Sequence, residues 1–135
     1  MDSEKVKTVL IASAALALGG SVISRFMQGD RVKEPDTYHI GVETGGTSCK
    51  VGIMKGAHSL EIFASVIIPT TTPSETVEKI CDFINSLPYT YSSIGIAAFG
   101  PLCLDGPDFG TITTTPKVAW QHTPLLKLIL QKINA

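Results

Sequence analysis

The chain has 135 residues, enough for one domain and too few for two full ones. It is 44% apolar and 17% charged, with a formal net charge of −1. No basic patch with interleaved aromatics occurs, so nucleic acid is excluded as an expected partner.

Residues 8–24 (TVLIASAALALGGSVIS) carry no charge. At 1.5 Å per residue, that stretch lies at the short edge of what crosses a bilayer core of ~30 Å. Three readings compete: a single signal anchor, a signal peptide cleaved near Ala15-Leu16-Ala17, and a buried helix of the domain. Asp2 and Glu4 stand where a signal peptide carries basic residues. The charged run DRVKEPD, residues 30–36, reads as a tether and not as a packed loop. The division taken forward is a hydrophobic anchor segment at residues 1–27, a polar linker at 28–37, and a domain at 38–135. On this reading residues 8–24 form an N-terminal membrane helix. Arg25, Arg31 and Lys33 follow the segment and Lys5 and Lys7 precede it, which places the domain on the cytosolic side. A cytoplasmic chain without a membrane contact is the alternative.

Within the domain, residues 38–43 alternate. Tyr38, Ile40 and Val42 share one face; His39, Gly41 and Glu43 share the other. That pattern predicts a first strand. Residues 50–54 predict a second, with a turn at Gly56-Ala57-His58. Residues 60–69 predict a third, with Ile62, Ala64, Val66 and Ile68 on one face. The three form an antiparallel meander. A helix follows with clear boundaries: Thr72 as N-cap, Pro73 at its first position, and Glu75 completing a capping box. Val77, Ile80, Cys81, Ile84 and Leu87 make its apolar stripe, and Pro88 ends it. Residues 93–99 (SIGIAAF) are apolar without alternation and predict a buried strand parallel to the first. Beyond Gly100-Pro101 come a loop at residues 102–110, a short extended piece at 111–115, and a last helix at 124–134 with Leu125, Leu128, Ile129 and Ile133 inward. Cys49, Cys81 and Cys103 are odd in number and widely spaced, and read as reduced thiols. His39, His58 and His122 have no partners at metal or catalytic spacing.

The stretch that points to chemistry is Glu43-Thr44-Gly45-Gly46-Thr47, between the first two strands. Paired glycines at a hairpin tip let bare backbone N–H groups approach a phosphate, with a hydroxyl beside them and an acid near enough to serve a metal ion. Gly45 and Gly46 would also suit a plain hairpin turn. The turn joins strand to strand, whereas a Walker loop or a dinucleotide fingerprint joins a strand to a helix, so both of those are excluded.

A glycine hairpin followed by β-α-β resembles the opening of the actin-like ATPase (ribonuclease H-like) α/β fold. Three motifs narrow the resemblance to the fructokinases of the ROK sugar-kinase family. They are Glu43-Thr44-Gly45-Gly46-Thr47, then Ile94-Gly95-Ile96-Ala97-Ala98-Phe99-Gly100-Pro101, then Gly110-Thr111-Ile112-Thr113-Thr114-Thr115-Pro116-Lys117-Val118-Ala119-Trp120. The likeness runs from about Tyr38 to the last residue and corresponds to the family's N-terminal lobe. It implies ATP-dependent phosphorylation of a hexose, fructose first, with Mg²⁺. It further implies that Gly45, Gly46 and Thr47 approach the ATP phosphates and that Glu43 holds Mg²⁺ through water. Gly100, Pro101, Thr113, Thr114, Thr115, Pro116 and Trp120 would border the sugar.

The family's catalytic aspartate stands in a DxNAA-like segment that does not occur here. No catalytic residue is therefore assigned, and turnover by this chain alone is not expected. In the family a further strand flanks the one at residues 93–99. None is read here, so that strand is expected at an edge, open to a homodimer contact or another partner.

Overall fold

Alternation of apolar and polar residues sets three strands side by side. The computed structural model describes residues 37–56 and 61–134 throughout, and the backbone of residues 9–13. Five strands are described: β1 (Val9–Ser13), β2 (Tyr38–Thr44), β3 (Ser48–Lys55), β4 (Ile62–Pro69) and β5 (Tyr91–Ala98). Two helices accompany them, α1 (Pro73–Ser86) and α2 (Leu125–Lys132). The strand order is β1-β5-β2-β3-β4. β2, β3 and β4 pair antiparallel in sequence order, and β5 returns parallel to β2, as the pattern predicts.

Two expectations are corrected at the N-terminus. Val9–Ser13 is extended, not helical, and pairs parallel with β5 in the register Val9↔Ile94 to Ser13↔Ala98. The predicted hydrophobic helix is therefore not formed over those residues, and β5 is not an edge strand. Hydrogen bonding to β5 satisfies backbone groups that an edge would leave open, which removes the basis for a homodimer or partner at that edge. The rest of the expected anchor and the linker through residue 36 lie outside the described residues, as do Ala57 and His58 of the predicted turn. Among the described residues no helix is long and apolar enough to cross a membrane.

One face of the sheet is packed. Ile40, Val42, Cys49, Val51, Ile53, Ile68, Ile94, Ile96 and Ala98 are all buried there, beneath residues of α1 and α2. α1 lies against β3 and β4, and α2 lies against α1. Val77, Ile80, Cys81 and Ile84 form the buried stripe of α1, while Leu87 is only partly buried. Thr72 caps α1 by accepting from the Glu75 N–H at 3.3 Å. The return half of the predicted capping box is absent, because the Glu75 carboxylate accepts from the Thr71 hydroxyl at 2.8 Å instead.

Among the described residues the opposite face is open. Gly95, Gly41, Gly52 and Ser65 stand in register across β5, β2, β3 and β4. Flanked by Met54, Ile62 and Ile67, that row lines a shallow apolar depression of about 690 Å³. Ile62 was expected on the same face as Ala64, Val66 and Ile68. A register shift pairs Ile53 with Ala64 but Met54 with Ile62, so Phe63 is the extra residue of a bulge. The shift turns Ile62 outward, 61% exposed, and lets Phe63 meet Tyr38 edge-on at 5.7 Å.

Candidate functional site

β2 ends at Thr44 and β3 begins at Ser48, which leaves Gly45-Gly46-Thr47 as the hairpin tip. The tip is tight. The Gly45 N–H donates to the Ser48 carbonyl at 3.0 Å, and a Cβ placed on Gly45 would lie 2.5 Å from that oxygen. Only glycine closes this turn without displacing backbone.

Thr70, at the end of β4, clasps the tip from the side. Its N–H donates to the Thr47 carbonyl at 2.9 Å, and its hydroxyl donates to the Gly45 carbonyl at 2.7 Å. The carbonyls of the tip are thus taken inward. The N–H groups of Gly46 and Thr47 have no acceptor among the described residues, and both residues are exposed. Two unpaired donors on a rigid, side-chain-poor turn make an anion-accepting surface.

The tip opens into a cleft of about 330 Å³, walled by Glu43, Lys50, Ala97 and Phe99. Phe99 is held there by its N–H, which donates to the Thr44 carbonyl at 3.1 Å. Glu43 and Lys50 face each other across β2 and β3 at 3.8 Å, each side chain 63% exposed. Water screens such a pair, so it does little to hold either group back from a ligand. Among the described residues no three His, Cys, Asp or Glu side chains are grouped to hold a metal ion. One exposed carboxylate beside an anion site nonetheless suits Mg²⁺, which keeps several waters and takes most other ligands from phosphate.

The second wall of the site comes from the segment after β5. Gly100–Pro101 is a cis peptide bond. The Pro101 carbonyl accepts from both the N–H and the hydroxyl of Thr113, at 2.8 and 3.2 Å. Ile112 bridges Leu102 on one side and Thr123 on the other. The segment at residues 102–111 is thereby a folded excursion whose ends meet.

A 3-10 turn, Val118–Trp120, follows. Trp120 is 1% exposed, packs edge-on against Phe99 at 5.3 Å, and donates its indole N–H to the Thr71 carbonyl at 2.9 Å. It is a buried pillar behind the cleft, packed on Phe99 of its wall. Thr115 is also buried, with its carbonyl accepting from the Gln121 side chain at 3.0 Å, whereas Thr114 and Pro116 face solvent.

Lys117 connects the two walls. Its Cε lies 3.5 Å from where a Cβ on Gly46 would stand, so residues 115–117 approach the hairpin tip. Lys117, Thr70 and Thr71 have no role by local sequence pattern. The available signal was the place of Lys117 inside the third family motif.

The sequence model of the ROK family matches residues 39–135. The putative fructokinase of Bacillus subtilis (strain 168) is 38% identical over 98 residues, covering 70% of this chain and 31% of that protein. The fructokinase of Zymomonas mobilis subsp. mobilis is 40% identical over 91 residues, covering 63% of this chain and 30% of its own length. A solved ROK family glucokinase from Streptomyces griseus, in complex with glucose and AMPPNP, matches with a TM-score of 0.55 and 24% identity, over 71% of this chain and 30% of that one. At that identity the match speaks for the fold. The chain spans about a third of the length of the curated relatives it matches.

Proposed function

The chain belongs to the ROK family, and from that premise we propose that residues 38–135 form the phosphate-holding and sugar-facing part of an ATP-dependent hexose kinase, with fructose as the acceptor. The observation that carries this reading is the hairpin tip. It offers two unpaired N–H groups, tightly fixed, with a carboxylate at the end of the same strand.

Phosphoryl transfer asks little covalent chemistry of a protein and much positioning and charge neutralisation. Here Gly46 and Thr47 would donate to the phosphates of ATP, and Glu43 would hold Mg²⁺ through its water shell. The metal would neutralise charge on the transferring group. The Gly100-Pro101 turn and the Thr113–Pro116 stretch would carry the sugar at the mouth of the cleft. Fructose is chosen over other hexoses because the relatives at 36–40% identity carry the name fructokinase. No carboxylate is assigned as the base, so binding is the decisive readout for this chain.

Titration of the 135-residue chain with ATP and Mg²⁺ should give saturable binding, and Gly46→Val should weaken it by at least about tenfold, since 1.4 kcal/mol of lost contact is one decade. Absence of ATP binding by the wild-type chain, with its fold intact by circular dichroism, would overturn the reading. A coupled ADP-release assay with fructose then asks whether bound nucleotide turns over.

A further inference from the structure

We propose that Lys117 is the cation of the phosphate site, and that its ammonium and the Gly46 and Thr47 N–H groups close on one terminal phosphate group from two sides. This inference rests on the reading of the hairpin tip as an anion site.

Two lysines stand near the tip, and they differ. Lys50 is exposed and faces Glu43 at 3.8 Å, so its charge already has a counter-ion. Lys117 is half-buried, and its ammonium meets no carboxylate or acceptor among the described residues. An ammonium without a counter-ion gains more from an arriving anion than one already paired with a carboxylate. Its Cε already lies within van der Waals reach of the Gly46 position. A phosphate group carries several acceptor oxygens, enough to take the tip N–H groups with one and the ammonium with another.

The placement is braced from a single joint. Thr70 holds the tip through the carbonyls of Gly45 and Thr47. Its neighbour Thr71 receives the Trp120 indole N–H at 2.9 Å. Trp120 in turn donates its backbone N–H to the Lys117 carbonyl at 2.8 Å, and the Lys117 N–H reaches the Thr115 hydroxyl at 3.4 Å. Tip and lysine are thus fixed to adjacent residues, so their spacing does not depend on the long segment between them. Preorganisation of this kind reduces the ordering cost of binding.

The test uses the 135-residue chain with inorganic tripolyphosphate and with ATP as probes. Lysine acetylation read by mass spectrometry should show Lys117 protected by tripolyphosphate and Lys50 unprotected. Lys117→Met should weaken both ligands by about tenfold or more, Lys117→Arg should restore most of the affinity, and Lys50→Met should change it less than about threefold. The Lys117→Met variant should also bind tripolyphosphate with a shallower dependence on salt than the wild-type chain, a change that a merely structural role would not produce. Equal affinity in Lys117→Met, or equal loss in Lys50→Met, would overturn the proposal while leaving the hairpin site standing. Failure of the wild-type chain to bind either probe would remove both.

Discussion

The two faces of the sheet are made by the same strands and have opposite fates. On the packed face most alternate positions hold a branched or small apolar side chain, and nine of them are buried. On the open face the alternate positions are Gly41, Gly52, Gly95, Ala97 and Ser65, with Met54, Ile62 and Ile67 beside them. Stability is therefore concentrated on one side. The proposed site is at neither face but at the carboxyl ends of β2 and β5, where both run out into the hairpin tip and the turn at Gly100. A rigid face behind and bare backbone in front is what a backbone-donor site needs, because the donors must not move when the anion arrives.

The contrast is broken most directly by truncating one isoleucine on each side. Ile80 of α1 is fully buried against the packed face, and Ile67 on the open face is 68% exposed. Ile80→Ala should cost about 2–5 kcal/mol through lost burial and a residual cavity. Ile67→Ala should stay within about 0.5 kcal/mol. Urea denaturation measures both. Similar costs at the two sites would mean that the open face is covered as well.

The packed face also sets an alkaline limit. Burial pushes the Cys81 thiol up to about 11 from 9.0, opposed by nearby Lys132 and aided by Asp82. The unfolded chain releases this proton first, near 9, so the folded state binds more protons between the two values. Stability is then full below about pH 9 and falls as pH rises toward about 11. Cys81→Ala should flatten that fall. A smaller slope remains above pH 10, because burial also raises Tyr91 above its usual 10.0. Thermal melts from pH 8 to 11 of the two proteins decide it. An unchanged slope would mean that the thiol is solvated.

Much of the packed face was legible because its signals are local. Period-two alternation placed β2, and the Thr72-Pro73 start with the 77-80-81-84 stripe placed α1. Three features were not legible, each for a non-local reason. Val9–Ser13 reads as part of an uninterrupted apolar run, and only its pairing with β5 makes it a strand. Ile62 alternates correctly in sequence, but the bulge at Phe63 shifts its register. Trp120, expected to border the sugar, has as its indole partner the Thr71 carbonyl forty-nine positions away, which no local pattern names. The glycine hairpin was readable as a turn from its own residues. The clasp of Thr70 on its carbonyls and the approach of Lys117 became visible only with the chain folded.

A small expected gain is the most discriminating for the open face. Gly52 sits mid-strand, where glycine weakens a sheet unless something approaches its backbone. A Cβ there would meet Ile62 Cγ2 at 3.6 Å, the Ala64 carbonyl at 3.6 Å and Ser65 Cβ at 3.7 Å, all ordinary contacts. Gly52→Ala should therefore stabilise the chain by about 0.4–1 kcal/mol, by restricting the unfolded ensemble without straining the folded one. A loss of stability would carry the opposite message. Since the neighbours within the described residues leave room, the added methyl would then be striking something seated in the glycine row, and the face would be covered rather than exposed. Chemical denaturation of the single substitution, repeated at Gly41, where a Cβ would meet only Met54 Cε at 4.0 Å, separates the two outcomes.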